Sequence, residues 1–467
     1  MSINLLSAET VCCYFFIFRI PYTWTIVNYD INERLLPGVD NGFYCQERES
    51  CCGGWLYRCR CARLWSAHPS QWDRKETVWK INMKIVIVCD VLGEENNGTT
   101  IASMNLIRSL REKGHEVRIL CADQDKKGEQ DVYVVPTLNL GRLLNAYVAK
   151  AGVALAKPEA DTIRRALKGA DIVHVMIPFP LSIKAVKIAK QMGLPVTAGF
   201  HMQAQNFTSY IKMCRVAPVN HCVYRFIYQK VYRHADAIHY PTHFIQKLFE
   251  KSVRRKTNGY VISNGVHSYV QRRQTPKPAE FADKIVILTT GRYSREKSQD
   301  TLLKAIRYSK HKDKIQLILG GQGVKEKFYK KLAKQLPIPP LFRFYSRQEI
   351  IDVLNYADIY VHPAEAELEG ISCLEAIVCG KLTVVSDSKH AATKEFAIDE
   401  SCIFKNRKPK SLAKVIDYWI EHPELKKTYE QKYWESAVAF RQDLCMQQME
   451  AMMQEVIHAK REKSHLL

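Results

Sequence analysis

The chain has 467 residues, 46% of them hydrophobic and 25% charged, with 21 Gly and 18 Pro. That balance excludes wholesale disorder and low-complexity or collagen-like chains, and the length suits two large domains or three average ones. Sixty-nine Lys and Arg stand against 48 Asp and Glu, a formal charge of +21, which calls for an anionic partner: a phosphorylated substrate, nucleic acid or an acidic membrane surface.

The excess is not evenly spread. Residues 1–82 hold 9 basic and 8 acidic side chains; the rest holds 60 and 40. The first 82 residues also carry seven of the 15 cysteines (Cys12, Cys13, Cys45, Cys51, Cys52, Cys59, Cys61). Their spacing, with His68 nearby, matches no common zinc module. The apolar run Val11–Phe18 is stopped by Arg19 and Pro21 far short of a membrane span, and no basic segment precedes it as in a signal peptide. Residues 1–82 are therefore expected to be an irregular extension, either a disordered tail or an upstream region translated from an early start codon and outside the native protein. The remaining cysteines show no metal spacing and suit reduced thiols of a cytosolic protein.

From Met83 the pattern is regular. Lys84–Cys89, Glu116–Cys121, Asp171–Val175 and Leu194–Ala198 read as buried parallel strands, with helices over Ile101–Lys113 and Ile183–Met192. A polar break at Arg272–Pro278 follows, and the alternation restarts. Strands are predicted at Ile285–Thr289, Ile315–Leu319, Phe342–Phe344, Ile359–His362 and Leu382–Ser386. Helices are predicted at Asp300–Tyr308, Lys325–Gln335, Gln348–Tyr356 and Cys373–Cys379, and throughout from Ser411 onward. The fold class is α/β: two Rossmann-like doubly wound domains, residues 83–275 and 276–440, facing a cleft, with a C-terminal helix over 441–467 crossing back to the first.

Chemistry concentrates in the second half. Arg292 and Lys297 sit on a strand-to-helix loop, where a forked and a point cation can meet a diphosphate. Glu367 and Glu375 bracket Gly370, after a strand and at the start of a helix. There the backbone can approach a ligand closely, helix amides can meet phosphate oxygens, and a carboxylate one turn in can accept both hydroxyls of a ribose.

With the Gly98 loop after the first strand, Asn264-Gly265-Val266, Gly291-Arg292 through Lys297, Gly320-Gly321-Gln322-Gly323 and the Glu367-to-Glu375 spacing, residues 83–460 resemble glycosyltransferase family 4, retaining enzymes of the GT-B fold. The resemblance implies sugar transfer from a nucleotide donor, usually a UDP-sugar. Arg292 and Lys297 would hold the diphosphate, Glu375 the ribose and Glu367 the donor sugar near the reacting centre. Gly370, Ile371 and Ser372 would receive the phosphates, and Gly98 would admit the donor. His201 would line the cleft from the first domain. No cofactor or metal is implied. Leu368 and Glu369 stand where the family usually has Gly or Ser and then Phe. His267 replaces its usual Asp, and Phe344-Tyr345-Ser346 its Phe-x-Gly.

Other signals carry less. Gly321-x-Gly323 lacks the third glycine of a dinucleotide fingerprint. Asp123-x-Asp125 suits a solvated turn. The histidines His234, His239 and His243 are split by Pro241 and share no helix face, and His174 reads as a core or cleft-edge histidine. Residues 203–256 interleave nine aromatics with ten basic side chains, including Lys212, Arg215, Arg225, Lys230 and Arg233, against Asp236 and Glu250. This suits an anionic membrane surface, and no nucleic-acid-binding motif appears. Residues Gly199–Thr208 are similar to a motif of bacterial diacylglycerol glucosyltransferases, which are monotopic. The expectation is transfer of glucose from UDP-glucose to a lipid hydroxyl such as that of diacylglycerol, at the cytoplasmic face of the membrane; a soluble or polyprenyl-linked acceptor is the alternative. The oligomeric state stays open.

Overall fold

The computed structural model describes residues 82–90, 92, 98–139, 141, 155–209, 213 and 216–465, all within one compact unit, Thr77–Leu467. The extension expected over residues 1–82 thus falls, Asn82 apart, outside the described residues, as do Lys212 and Arg215.

Two parallel sheets form the frame. The first uses β1 (Lys84–Val88), β2 (Glu116–Cys121), β3 (Val132–Val134), β4 (Ile172–Val175), β5 (Val196–Gly199), β6 (Ala237–Tyr240) and β7 (Gly259–Val261), in the order β3-β2-β1-β4-β5-β6-β7. Its helices are α1 (Gly98–Glu112), α2 (Ala160–Leu167), α3 (Pro180–Gln191), α4 (Ala204–Ser209), α5 (Ala217–Lys230) and α6 (His243–Val253). The second sheet uses β8 (Ile285–Thr290), β9 (Ile315–Gly320), β10 (Leu341–Arg343), β11 (Ile359–His362), β13 (Thr383–Ser386) and β15 (Ile403–Phe404), in the order β10-β9-β8-β11-β13-β15. A small pair, β12 (Ala366–Glu367) with β14 (His390–Ala391), stands apart from it. The accompanying helices are α7 (Gln299–Ile306), α8 (Glu326–Ala333), α9 (Arg347–Tyr356), α10 (Ile371–Val378), α11 (Pro409–Glu421), α12 (Pro423–Ser436) and α13 (Gln442–His465). Strands buried on both faces need continuous apolar runs, and Ile85–Val88 and Ile315–Gly320 are buried throughout.

Some boundaries differ from the sequence reading. Helix α1 opens at Gly98 rather than Ile101, because Thr100 and Ser103 are buried and the Ser103 hydroxyl donates to the Thr99 carbonyl at 2.8 Å. The Gly98 segment is thus the first turn of a helix rather than a loop. The C-terminal segment is not one helix: Pro423, without an N–H, starts α12, and a 3₁₀ turn at Ala437–Phe440 separates α12 from α13.

Helix α13 returns to the first domain. Met446, Met449, Met452 and Met453 bury themselves in one cluster with Met83, Ile85, Ile87 and Leu106. Glu450 meets Lys113 at 2.6 Å and His115 at 3.0 Å. The two chain crossings between the domains press together: Val266 N–H donates to the Phe440 carbonyl at 2.7 Å, and Gln442 N–H to the Val266 carbonyl at 3.1 Å. Between them Gly265, at φ +76°, lies so close that a Cβ there would stand 2.6 Å from Gln442 Cα.

Candidate active site

The C-terminal ends of both sheets face a cavity of about 420 Å³, where open α/β sheets bind ligands. On the second-domain wall, β8 ends at Thr290 and Gly291 opens the loop after it. The loop after it is braced to the loop after β9, with Gly291 N–H donating to the Gly320 carbonyl and Tyr293 N–H to the Gln322 carbonyl, both at 2.9 Å. The Arg292 carbonyl is held by the Gln299 amide at 3.0 Å, while its guanidinium stays largely exposed and only 3.4 Å from Glu296. Lys297 is mostly buried and ion-paired with Glu367.

Glu367 ends β12. Its Oε2 also receives His362 Nε2 at 3.1 Å. Burial pushes this carboxyl up, but Lys297 and His362 outweigh burial and hold it at about 2, so Glu367 is an anion. Gly370, at φ +90°, then turns the chain into α10. A Cβ there would meet Thr393 Cγ2 at 2.7 Å and Glu367 Cγ at 3.1 Å, so the turn needs glycine. Cys373 and Leu374 N–H groups bond the Gly370 carbonyl, and Ile371 and Ser372, in the first turn, line the cavity beside Gly370. Glu375, one turn in, also lines it. Burial pushes its carboxyl up to about 7, with Arg347 pulling the other way.

The first domain contributes Gly98, Thr99 and Ile101 of α1, His201 after β5, and Asn264. The His201 ring stands edge-on to His239, centroids 5.4 Å apart. Burial, with His239 and His174 nearby, holds it well below the ordinary histidine range, so it meets a ligand as a neutral ring. His239 is a strand residue on β6 that donates from Nε2 to the Ile262 carbonyl at 2.7 Å, and His174 is buried on β4 against Thr197 at 2.9 Å. Among the described residues no group of three or more His, Cys, Asp or Glu could hold a metal.

Sequence reasoning passed over Glu369. Its buried carboxylate accepts from Ser263 Oγ at 2.6 Å, Asn264 N–H at 3.1 Å and Asn264 Nδ2 at 2.5 Å, all on the segment joining the domains. With Thr242 Oγ1 donating to the Leu368 carbonyl at 3.1 Å, these bonds grip the Glu367–Gly370 loop from the first domain. An acid where the family has an aromatic was the available signal. The structure thus brings Gly98, His201, Arg292, Lys297, Glu367, Gly370, Ile371, Ser372 and Glu375 around one cavity. Arg225 and Lys230 on α5, and Arg233 just after it, do not line it.

Two parallel-sheet α/β domains facing one cleft, with Arg292, Lys297 and the first turn of a helix on its wall, define a glycosyltransferase of the GT-B class. Residues 96–268 match the family model described as Glycosyltransferase Family 4, and residues 270–433 the one described as Glycosyl transferases group 1. The chain belongs to glycosyltransferase family 4. It is 23% identical over 318 residues to an alpha-monoglucosyldiacylglycerol synthase of Streptococcus pneumoniae, covering 64% of this chain and 70% of that one. It superposes on Anabaena Alr3699/HepE in complex with UDP and glucose at TM-score 0.61 and 17% identity, over 80% of this chain and 100% of that one. A third of the chain (33%) is 39% identical to the catalytic domain of cholesterol-alpha-glucosyltransferase from Helicobacter pylori, covering 97% of it at TM-score 0.32, a superposition too poor to bear on the site.

Proposed function

We propose that the chain is a retaining hexosyltransferase that moves glucose from UDP-glucose to the hydroxyl of a membrane lipid such as 1,2-diacylglycerol. One observation carries this: a single cavity has two cations and the first turn of a helix on one wall and a neutral histidine on the other. Loss of the nucleoside diphosphate is the costly step. Arg292, Lys297 and the first-turn amides of α10 stabilise its developing charge, and Glu375 accepts from the ribose hydroxyls. Glu367 accepts from a donor-sugar hydroxyl, and His201 positions the sugar or the acceptor. The acceptor hydroxyl attacks from the face the diphosphate leaves, and its proton passes to the departing phosphate. Residues 276–440 bind the donor and residues 83–275 the acceptor.

The lipid acceptor is supported by the pneumococcal relative and by charge. Helices α5 and α6 carry one acid between them, Glu250, and it is buried, whereas Arg225, Lys247, Lys251 and the adjoining Arg233 and Arg254 are exposed. Such a ridge suits an anionic bilayer. No helix among the described residues is long and apolar enough to cross a membrane, so the attachment proposed is peripheral, on the cytoplasmic face.

The test is UDP release from UDP-glucose by the full chain, with and without anionic vesicles containing diacylglycerol or a sterol, and with and without chelator. Release that requires diacylglycerol vesicles and survives chelator is the expected result. Release that requires sterol moves the acceptor to another lipid, and release without lipid overturns the lipid acceptor. No release from any nucleotide sugar overturns the activity itself.

A further inference from the structure

Four side chains form an unbroken line from the middle of the second sheet to the cavity. Thr290 ends β8. Tyr360 and His362 lie two residues apart on the neighbouring β11, so they share a face. Thr290 Oγ1 is 2.9 Å from Tyr360 OH, Tyr360 OH is 3.3 Å from His362 Nδ1, and His362 Nε2 is 3.1 Å from Glu367 Oε2. Thr290, Tyr360 and His362 are all buried.

The chemistry of the groups gives the line one polarity. An anionic carboxylate only accepts, so the His362 proton is on Nε2 and donates to Glu367. Nδ1 then carries the lone pair and accepts from the Tyr360 hydroxyl, whose own oxygen accepts from Thr290. The opposite tautomer would set a lone pair against the carboxylate and a ring N–H against the phenol. Burial also disfavours a second proton on the ring.

We propose that His362 is the positioning residue that holds Glu367 in place during transfer, its tautomer set by Tyr360 and Thr290. The inference rests on the reading that Glu367 meets the donor sugar. Lys297 and His362 both bond Oε2, which leaves Oε1 as the oxygen that can meet a sugar hydroxyl. Lys297 has a second task at the departing diphosphate, and a cation turned toward that charge holds Glu367 less firmly. His362 sits on a strand behind the site and has no second task. It keeps the carboxylate aimed while Lys297 shifts.

The variants His362→Gln, which can present an N–H near the Nε2 position, and His362→Leu, which cannot, test this against wild type. With UDP-glucose and diacylglycerol vesicles, His362→Leu should lower kcat at least tenfold, the scale of one lost hydrogen bond to a charged group, and His362→Gln should recover most of it. UDP affinity by calorimetry should stay within about twofold in both, because UDP lacks the sugar that Glu367 meets. A His362→Leu enzyme at wild-type kcat overturns the proposal. So do two variants impaired alike that have also lost UDP affinity, since that is a merely structural effect. A second arm needs no turnover: in full-length protein labelled with ¹⁵N-histidine, the His362 signals, assigned by their absence in His362→Gln, should show the Nε2–H tautomer. An Nδ1–H tautomer overturns the polarity argued above. If wild type binds UDP but turns over no nucleotide sugar, the proposed function fails and the positioning role in transfer is overturned with it, whereas an impaired His362→Leu beside an active wild type leaves the function standing.

Discussion

The sharpest consequence of the site concerns Glu375. Its carboxyl is pushed up to about 7 by burial, yet it accepts ribose hydroxyls well only as an anion. Binding UDP-glucose should therefore favour the ionised form and release a proton, so affinity should rise as pH passes upward through 7. A group at about 7 is ionised in about one molecule in eleven at pH 6 and about ten in eleven at pH 8, so Kd should be about tenfold higher at pH 6. UDP-glucose suits the measurement because its diphosphate is a diester that does not titrate in this range. Isothermal calorimetry in two buffers of different ionisation enthalpy would give both the affinity and the protons released. Glu375→Gln should bind roughly tenfold more weakly at pH 8 and show little pH dependence. Glu369 is also pushed up to about 7 by burial, but its oxygens are bound to Ser263 and Asn264 and it should not contribute. A wild-type Kd flat from pH 6 to 8, or a Glu375→Gln variant that keeps the wild-type slope, would refute the ribose assignment.

Three further outcomes follow from the same geometry. Lys297→Ala should leave Glu367 buried without its cation, lowering kcat/KM at least tenfold and destabilising the fold by roughly 3 kcal/mol, the cost of breaking a buried pair, which shows as a lower Tm; an unchanged melting curve would show that the pair is not holding the loop. Arg292→Ala should cost at least tenfold in kcat/KM with Tm unchanged, because its guanidinium is largely exposed and weakly paired, and wild-type kinetics would remove it from the site. Gly265→Ala should lower stability by at least 1 kcal/mol in urea titration, from a positive φ and a Cβ 2.6 Å from Gln442 Cα; a wild-type midpoint would mean the two crossings separate easily.

The parallel sheets were legible wherever apolar runs reached four to six residues, as in β1, β2, β8, β9 and β11. The strands passed over are short or interrupted: β3 and β7 have three residues, β15 two, and the apolar run of the four-residue β6 is broken by His239. Their strand character comes from register with a neighbour rather than from their own composition. In the site, Glu367, Gly370 and Glu375 lie within nine residues on one loop and helix, so their spacing already places them together. Glu369 and His362 were not legible in the same way. Glu369 becomes a buried acceptor because Ser263 and Asn264 arrive from over a hundred residues away. His362 faces Glu367 because the chain turns back into the two-residue β12.

The return of α13 to the first domain also bears on how the chain is made. Met446, Met449, Met452 and Met453 are translated only after the whole second domain, yet they cover Met83, Ile85 and Ile87 at the first strand. At typical synthesis rates that apolar strip stays uncovered on the order of tens of seconds, while the whole second domain is translated. A ribosome that stops after Phe440 releases a protein whose two sheets can both be complete but whose first domain lacks the helix that covers Met83, Ile85 and Ile87.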